Sequence, residues 1–155
     1  MLPPQNPNSE GDLQLDHVAI AVRSIAAART FYETLGLPLH CEEEVPHEQV
    51  RTATLSLGAT TLELLEPTAE DSTIGRFLAR RGEGLHHIAI RSEDLSATLA
   101  RLKEQGIRLV DDTIRLGAGG HPYFFIHPQT TGGVLIEIVG NPAQAQSEPS
   151  KGASE

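Results

Sequence analysis

Residues 13–22, LQLDHVAIAV, alternate apolar and polar positions and are rich in branched side chains, which predicts a strand. The spacing changes in SIAAARTFYETLG (24–36), where Ile25, Ala28, Phe31 and Leu35 recur at helical intervals. Ser24 can cap that helix and Gly36 can end it. Three short strand-like runs follow, at about 38–45, 50–57 and 60–66. DSTIGRFLARRG (71–82) predicts a short helix, capped by Asp71 or Ser72 and stopped by Gly82. The pattern then restarts. LHHIAIRS (85–92) reads as a strand, and residues 92–106 as a helix with Ser92 as cap, Leu95, Leu99 and Leu102 on one face, and Gly106 at its end. Strands are expected near 107–110, 121–127 and 134–139. The glycine-rich RLGAGGHP (115–122) lies between strands and lacks the strand-to-helix context of a phosphate loop.

Both halves therefore run strand–helix–strand–strand–strand, and a repeat of this kind dictates the architecture. The expectation is an α+β fold in which two βαβββ modules pack about a pseudo-twofold, each forming half of a curved mixed sheet around a central site. Module 1 covers about 13–67, a linking helix about 71–82, and module 2 about 85–140, giving one domain over 13–140. Residues 1–12 and 141–155, rich in Pro, Asn, Ser, Gln and Gly, read as disordered tails.

The overlay also singles out chemistry. LDHVAIAV lies over LHHIAIRS, so His17 falls on His87, and TLELLEP (61–67) lies over VLIEIVG (134–140), so Glu63 falls on Glu137. Strand side chains alternate between faces. Val18, Ile20 and Val22 then share the helix-covered face, and His17, Ala19 and Ala21 the other. His87 has the phase of His17. His86 has the phase of Asp16 and is expected at a strand end or behind the ligand. Glu63 and Glu137 lie among apolar neighbours, and an inward carboxylate is costly unless paired or bound to a cation. One such Glu alone reads better as a solvated position on a half-exposed strand. Two Glu and two His at equivalent places form a donor set, His17, Glu63, His87 and Glu137, suited to a divalent first-row metal with open coordination positions.

Composition narrows the partners. The formal net charge is −9, from 12 Lys+Arg against 21 Asp+Glu, which argues against nucleic acid, because phosphate backbones need clustered cations. No apolar run approaches the roughly 18 residues of a membrane helix, and MLPPQNPNSEGD lacks the apolar stretch of a secretion signal. With one cysteine, Cys41, no disulfide forms within the chain, which fits a reducing cytoplasm.

The stretches LDHVAIAV, FYETLGL, LELLEP, DSTIGRFL, GEGLHHIAI and HPQTTGGVLIEI, spread over roughly 15–139, resemble the vicinal oxygen chelate superfamily and, within it, the methylmalonyl-CoA epimerase family. LELLEP followed by the DSTIGRFL helix and GEGLHHIAI is the specific part; LDHVAIAV is common to many members. The resemblance implies an isomerase that interconverts (2R)- and (2S)-methylmalonyl-CoA by proton abstraction and return through an enolate. It implies metal ligands at His17, Glu63, His87 and Glu137, a divalent ion (cobalt first; zinc, manganese, nickel or magnesium as alternatives), an acyl-CoA partner, and a homodimer as is common among similar proteins.

For proton transfer, Glu137 can use the carboxylate oxygen not bound to metal, with Glu63 as a further candidate. Several bacterial relatives carry a Glu on the second-strand motif where this chain reads VRTATL, with Thr52 at the matching position. Glu48, on an expected loop, is a substitute; Glu42, Glu43, Glu44 and Glu48 read alternatively as a solvated acidic edge. His40, His47, His121 and His127 stay outside the metal set. Arg76, Arg80, Arg81 and Arg91 can meet CoA phosphates or remain solvated. Three other functions compete: a glyoxalase I-type lyase acting on a glutathione hemithioacetal; an extradiol-type dioxygenase, which needs two His and one Glu around iron and leaves Glu63 surplus; and a ligand-sequestering resistance protein, a class that often loses the metal ligands.

Overall fold

The computed structural model describes residues 13–146; the expected tail at 1–12, and residues 147–155 of the tail expected at 141–155, lie outside the described residues. The order is β1 (Leu13–Ala21), α1 (Ile25–Leu35), β2 (Leu39–Val45), β3 (Val50–Leu57), β4 (Thr60–Pro67), α2 (Thr73–Arg81), β5 (Gly84–Ser92), α3 (Leu95–Glu104), β6 (Arg115–Leu116), β7 (Pro122–Ile126) and β8 (Ile136–Val139). Short 3-10 turns cover Pro46–Glu48, Ala118–Gly120 and Pro142–Gln146.

All eight strands form one sheet in the order β2-β3-β4-β1-β5-β8-β7-β6. β1 pairs parallel with β4, and β5 parallel with β8, while β1 and β5 meet antiparallel at the centre. The modules are thus related by an axis between β1 and β5, the α+β arrangement that the repeat predicts.

Each module buries its outer face under its own helix. In module 1, Ile25, Ala28 and Tyr32 of α1 pack with Val22, Ala53, Leu55 and Leu64. In module 2, Leu95, Leu99 and Leu102 of α3 pack with Phe124, Ile126 and Ile138. Helix α2 seals the inner face of module 1, setting Ile74 and Leu78 against Ala19, Ala21, Val45, Val50 and Leu65. Gly75 is needed there, because a Cβ would stand 2.4 Å from the Glu70 carbonyl oxygen.

The outer strands of the sheet also meet. His47 Nε2 lies 2.9 Å from the Leu116 carbonyl oxygen, and the Gly119 N–H donates to Glu43 Oε1 at 3.1 Å. The turns beside β2 and β6 therefore join opposite ends of the sheet, and the sheet curls around its inner face.

Three expectations are corrected. The second strand of module 2 is Arg115–Leu116, inside the stretch expected as a loop, and not 107–110, which makes only a Leu109–Ile126 bridge. Ile107 and Leu109 are apolar because they pack against the α3 core. The cap of α3 is Asp94, whose side chain accepts from the Ala97 N–H at 3.0 Å. Ser92 is buried and its hydroxyl pairs with Thr98 Oγ1 instead. The folded part also runs past Gly140 into the turn at Pro142–Gln146. There Gln144 accepts from the Leu95 N–H at 2.7 Å and donates to the Ser92 carbonyl at 3.0 Å, tying the start of the expected tail to α3.

Candidate metal centre

Residues paired across a ladder point to the same side of a sheet. Ala19 is paired with His87 and Glu63, and Ala89 with His17 and Glu137. All four candidate ligands therefore share the inner face. The two alanines between them are fully buried, and their small side chains leave the volume that the four larger ones fill.

His17, His87 and Glu137 form a compact buried group whose donor atoms all lie within 4.8 Å of one another. His17 Nε2 is 3.2 Å from His87 Nε2 and 3.4 Å from Glu137 Oε2, and His87 Nε2 is 2.8 Å from Glu137 Oε2. Glu63 stands beside this group, with Oε2 3.3 Å from His17 Nε2. Donors bound at about 2.1 Å lie roughly 3.0–3.4 Å apart in octahedral or tetrahedral geometry. The observed separations match a shared coordination sphere, and the two-nitrogen, two-carboxylate set suits a divalent cation of borderline softness.

The electrostatics are those of a site built for positive charge. Burial alone would lower the His17 pKa, but the Asp16, Glu137 and Glu63 carboxylates outweigh it and push the ring up to about 10. Burial alone would raise Glu137, but hydrogen bonds from His17 and His87 hold it at about 2. Glu63 is raised, chiefly by burial, with His17 opposing.

Two flanking residues are set by irregularities of the β1–β5 ladder. Leu15 pairs with Ile90 and His17 with Ala89, so Asp16 is an extra residue in β1; Ala19 pairs with His87 and Ile20 with Leu85, so His86 is an extra residue in β5. A bulge of this kind re-aims a side chain. Asp16 Oδ2 lies 2.8 Å from His17 Nδ1, and His86 Nδ1 lies 2.8 Å from His87 Nδ1. Strict alternation places Asp16 and His86 on the opposite face; the bulges bring them behind the histidines they precede. The visible signal in the sequence is that the two occupy the same repeat position.

Glu48 sits at the seam between the modules. It ends the Pro46–Glu48 turn, just before Gln49, a non-glycine residue with positive φ (54°). The Tyr123 hydroxyl, from β7 of module 2, donates to Glu48 Oε1. Burial, then Glu48, raises the Tyr123 pKa. The Tyr123 ring touches Phe125, and Phe125 touches His87 at 5.3 Å between centroids. Phe125 is paired with Glu137, so Glu48 is fastened to the same inner face. Nothing local in the sequence links Glu48 to Tyr123, and Tyr123 is absent from the expected site. Thr52 is buried, with its hydroxyl donating to the Glu43 carbonyl at 3.4 Å. His121 Nδ1 meets the Gly140 carbonyl, and His127 accepts from the Gln129 N–H. Arg91 pairs with Gln14 and Asp16, and Arg81 lies over the Phe77 ring.

A curled sheet of two βαβββ modules, with an inward His/Glu cluster at its centre, defines a two-module metal-site fold. The chain belongs to the Glyoxalase/Bleomycin resistance protein/Dioxygenase superfamily, whose model matches residues 16–125. It is 44% identical over 126 residues to the uncharacterized protein YqjC of Bacillus subtilis, covering 81% of this chain and 90% of that protein. It is 38% identical to the ethylmalonyl-CoA/methylmalonyl-CoA epimerase of Cereibacter sphaeroides, covering 81% of this chain and 96% of that protein. Among solved structures, a methylmalonyl-CoA epimerase in complex with methylmalonyl-CoA and ammonium superimposes with a TM-score of 0.80 at 38% identity, covering 85% of this chain and 96% of that one.

Proposed function

We propose that this chain is a methylmalonyl-CoA epimerase that inverts C2 of the acyl group by removing and returning its proton. The observation that carries the reading is the buried His17–His87–Glu137 group with Glu63 beside it, in a chain similar to named epimerases over most of their length.

The substrate carbon lies between a thioester carbonyl and a carboxylate, and losing its proton adds negative charge beside one already present. When bound by His17, Glu63, His87 and Glu137, a divalent cation supplies the charge that offsets this. Cobalt is our first candidate for the ion, with zinc, manganese, nickel and magnesium as alternatives.

The chain's own groups handle the proton. Glu137 turns the same oxygen, Oε2, toward both His17 and His87, and its second oxygen is our candidate for proton transfer. Glu48, anchored from the other module by Tyr123, is our candidate for the opposite face of the substrate carbon. Two bases on opposite faces allow inversion, because one takes the proton and the other returns one. Glu63, raised by burial, is assigned as a ligand first. The seam between the Pro46–Glu48 turn and β7 then forms one wall of an acyl-CoA site. The single cysteine, Cys41, exposed and free, suits a reducing cytoplasm, where we place the enzyme; no helix among the described residues is long and apolar enough to cross a membrane.

The test is proton exchange. In deuterated water with added metal, either epimer should gain deuterium at C2 and yield the other. Glu48→Gln should stop inversion while Glu137 continues to exchange one epimer. Conversion of methylglyoxal and glutathione without exchange into methylmalonyl-CoA would instead identify a glyoxalase I-type lyase.

A further inference from the structure

The pseudo-twofold makes His17 and His87 equivalent, yet the groups behind them differ. The β1 bulge sets the Asp16 carboxylate against His17 Nδ1; the β5 bulge sets the His86 imidazole against His87 Nδ1. Both rings turn Nε2 toward the Glu137 oxygen at the centre of the cluster. A ring that gives its Nε2 lone pair to a cation carries its remaining proton on Nδ1. Asp16 can accept that proton's hydrogen bond from His17. His86 can accept it from His87 only through a bare Nδ1, which leaves His86 with its own proton on Nε2.

The surroundings of His86 hold it in this place. The Phe77 ring of α2 packs against His86 in a T-shaped arrangement, with the ring centroids 4.9 Å apart and the planes at 80°. Arg81, one turn further along α2, lies over the Phe77 ring with Cζ 5.8 Å from its centroid. Helix α2 links the modules; at the corresponding place after module 2 stands only the short Pro142–Gln146 turn. Asp16, by contrast, faces the Arg91 guanidinium at 3.6 Å.

We propose that His86 is a positioning residue, which accepts the Nδ1 hydrogen bond of His87 through a β-bulge closed over by α2 and so presents His87 Nε2 to the cation. This rests on the metal reading above and assigns to the second histidine of the HH pair a job unlike that of its repeat partner. Partners that orient a ligating imidazole typically contribute about 10–100-fold in metal affinity.

The experiment compares His86→Phe with His86→Asn. Phenylalanine keeps a ring against Phe77 and has no acceptor; asparagine places Oδ1 where the imidazole carries Nδ1. Cobalt and zinc affinities are measured by competition with a chelator, alongside thermal unfolding of each variant. His86→Phe should lose about 10–100-fold in affinity, and His86→Asn should recover most of it. In zinc-loaded wild-type protein, nitrogen NMR should place the His87 proton on Nδ1, with a through-hydrogen-bond coupling to His86 Nδ1. Unchanged affinity in His86→Phe, an equal loss in His86→Asn, or a proton on His86 Nδ1 would overturn the role. If His86→Phe fails to fold, the asparagine variant and the wild-type spectrum still decide it. A wild-type protein that takes up no divalent ion would overturn the metal reading itself. Loss of metal in His87→Ala with retention in His86→Phe would overturn the His86 role alone.

Discussion

Cation binding should displace a proton from His17, and the pH dependence of binding measures it. Three carboxylates raise the ring from an ordinary 6.5 to about 10, so the ring is charged at neutral pH in the metal-free protein. A cation needs the neutral ring. At pH 8 the gap to about 10 weakens binding roughly 100-fold, or about 2.7 kcal/mol, and at pH 7 roughly 1,000-fold. Apparent affinity should therefore rise about tenfold for each unit between pH 7 and 9 and level off near 10. Titration calorimetry at pH 7.5 in two buffers of different ionisation enthalpy should report about one proton released per cation.

The stability of the metal-free protein should move the other way. A group whose folded pKa lies above its unfolded value stabilises fully below the unfolded pKa, and that contribution is lost as pH rises through the folded one. For His17 the window runs from 6.5 to about 10, so the metal-free fold should weaken over that interval while cation affinity grows. Asp16→Asn removes one of the carboxylates that raise His17, and its affinity curve should level off at a lower pH. Affinity that stays flat from pH 7 to 9, with no buffer-dependent heat, would refute the reasoning.

Ala89 is fully buried between His17 and Glu137. Ala89→Val should cost about 1–3 kcal/mol by overpacking and weaken metal binding, as denaturant melts and chelator competition will show. Gly75→Ala should lose about 1–3 kcal/mol, because its Cβ meets the Glu70 and Ala69 carbonyl oxygens at 2.4 and 2.7 Å; a neutral effect in urea unfolding would mean the start of α2 shifts freely. Gln144→Ala removes one hydrogen bond to the start of α3 and one to the Ser92 carbonyl at the end of β5 and should cost about 1–2 kcal/mol; hydrogen exchange at Leu95 should quicken.

The inner face was legible because side-chain alternation and the repeat gave the same answer. His17 with Ala19 and His87 with Ala89 share a phase, and both pairs face the cluster. What alternation misses is how two strands pair. Asp16 and His86 sit at bulges, and a bulge belongs to the register between β1 and β5, which neither strand encodes alone. The Tyr123–Glu48 contact is hidden for a related reason. It joins residues 75 apart in the chain and exists only because the sheet curls until its outer strands meet. The strand expected at 107–110 failed because its apolar residues serve α3 packing, and burial alone does not distinguish a strand from a packed loop.

The two glutamates show what the duplication does for the chemistry. Glu63 and Glu137 are repeat partners on equivalent strands, yet burial raises one while the histidines hold the other at about 2. The cause is local: both histidines reach Glu137 Oε2, at 3.4 and 2.8 Å, while the Glu63 contact, at 3.3 Å, is to His17. A perfectly twofold site would offer the same carboxylate from both sides, and one cation would hold both alike. Inversion of a carbon needs bases on opposite faces that are free to exchange protons in turn. Asymmetry within the repeat sets Glu63 beside His17 and Glu137 between both histidines, and Glu48, the base we propose for the other face, stands at the seam where Tyr123 holds it. Tyr123→Phe should therefore lower turnover and alter its pH profile without changing metal affinity; equal losses of both would place Tyr123 in the architecture of the cluster instead.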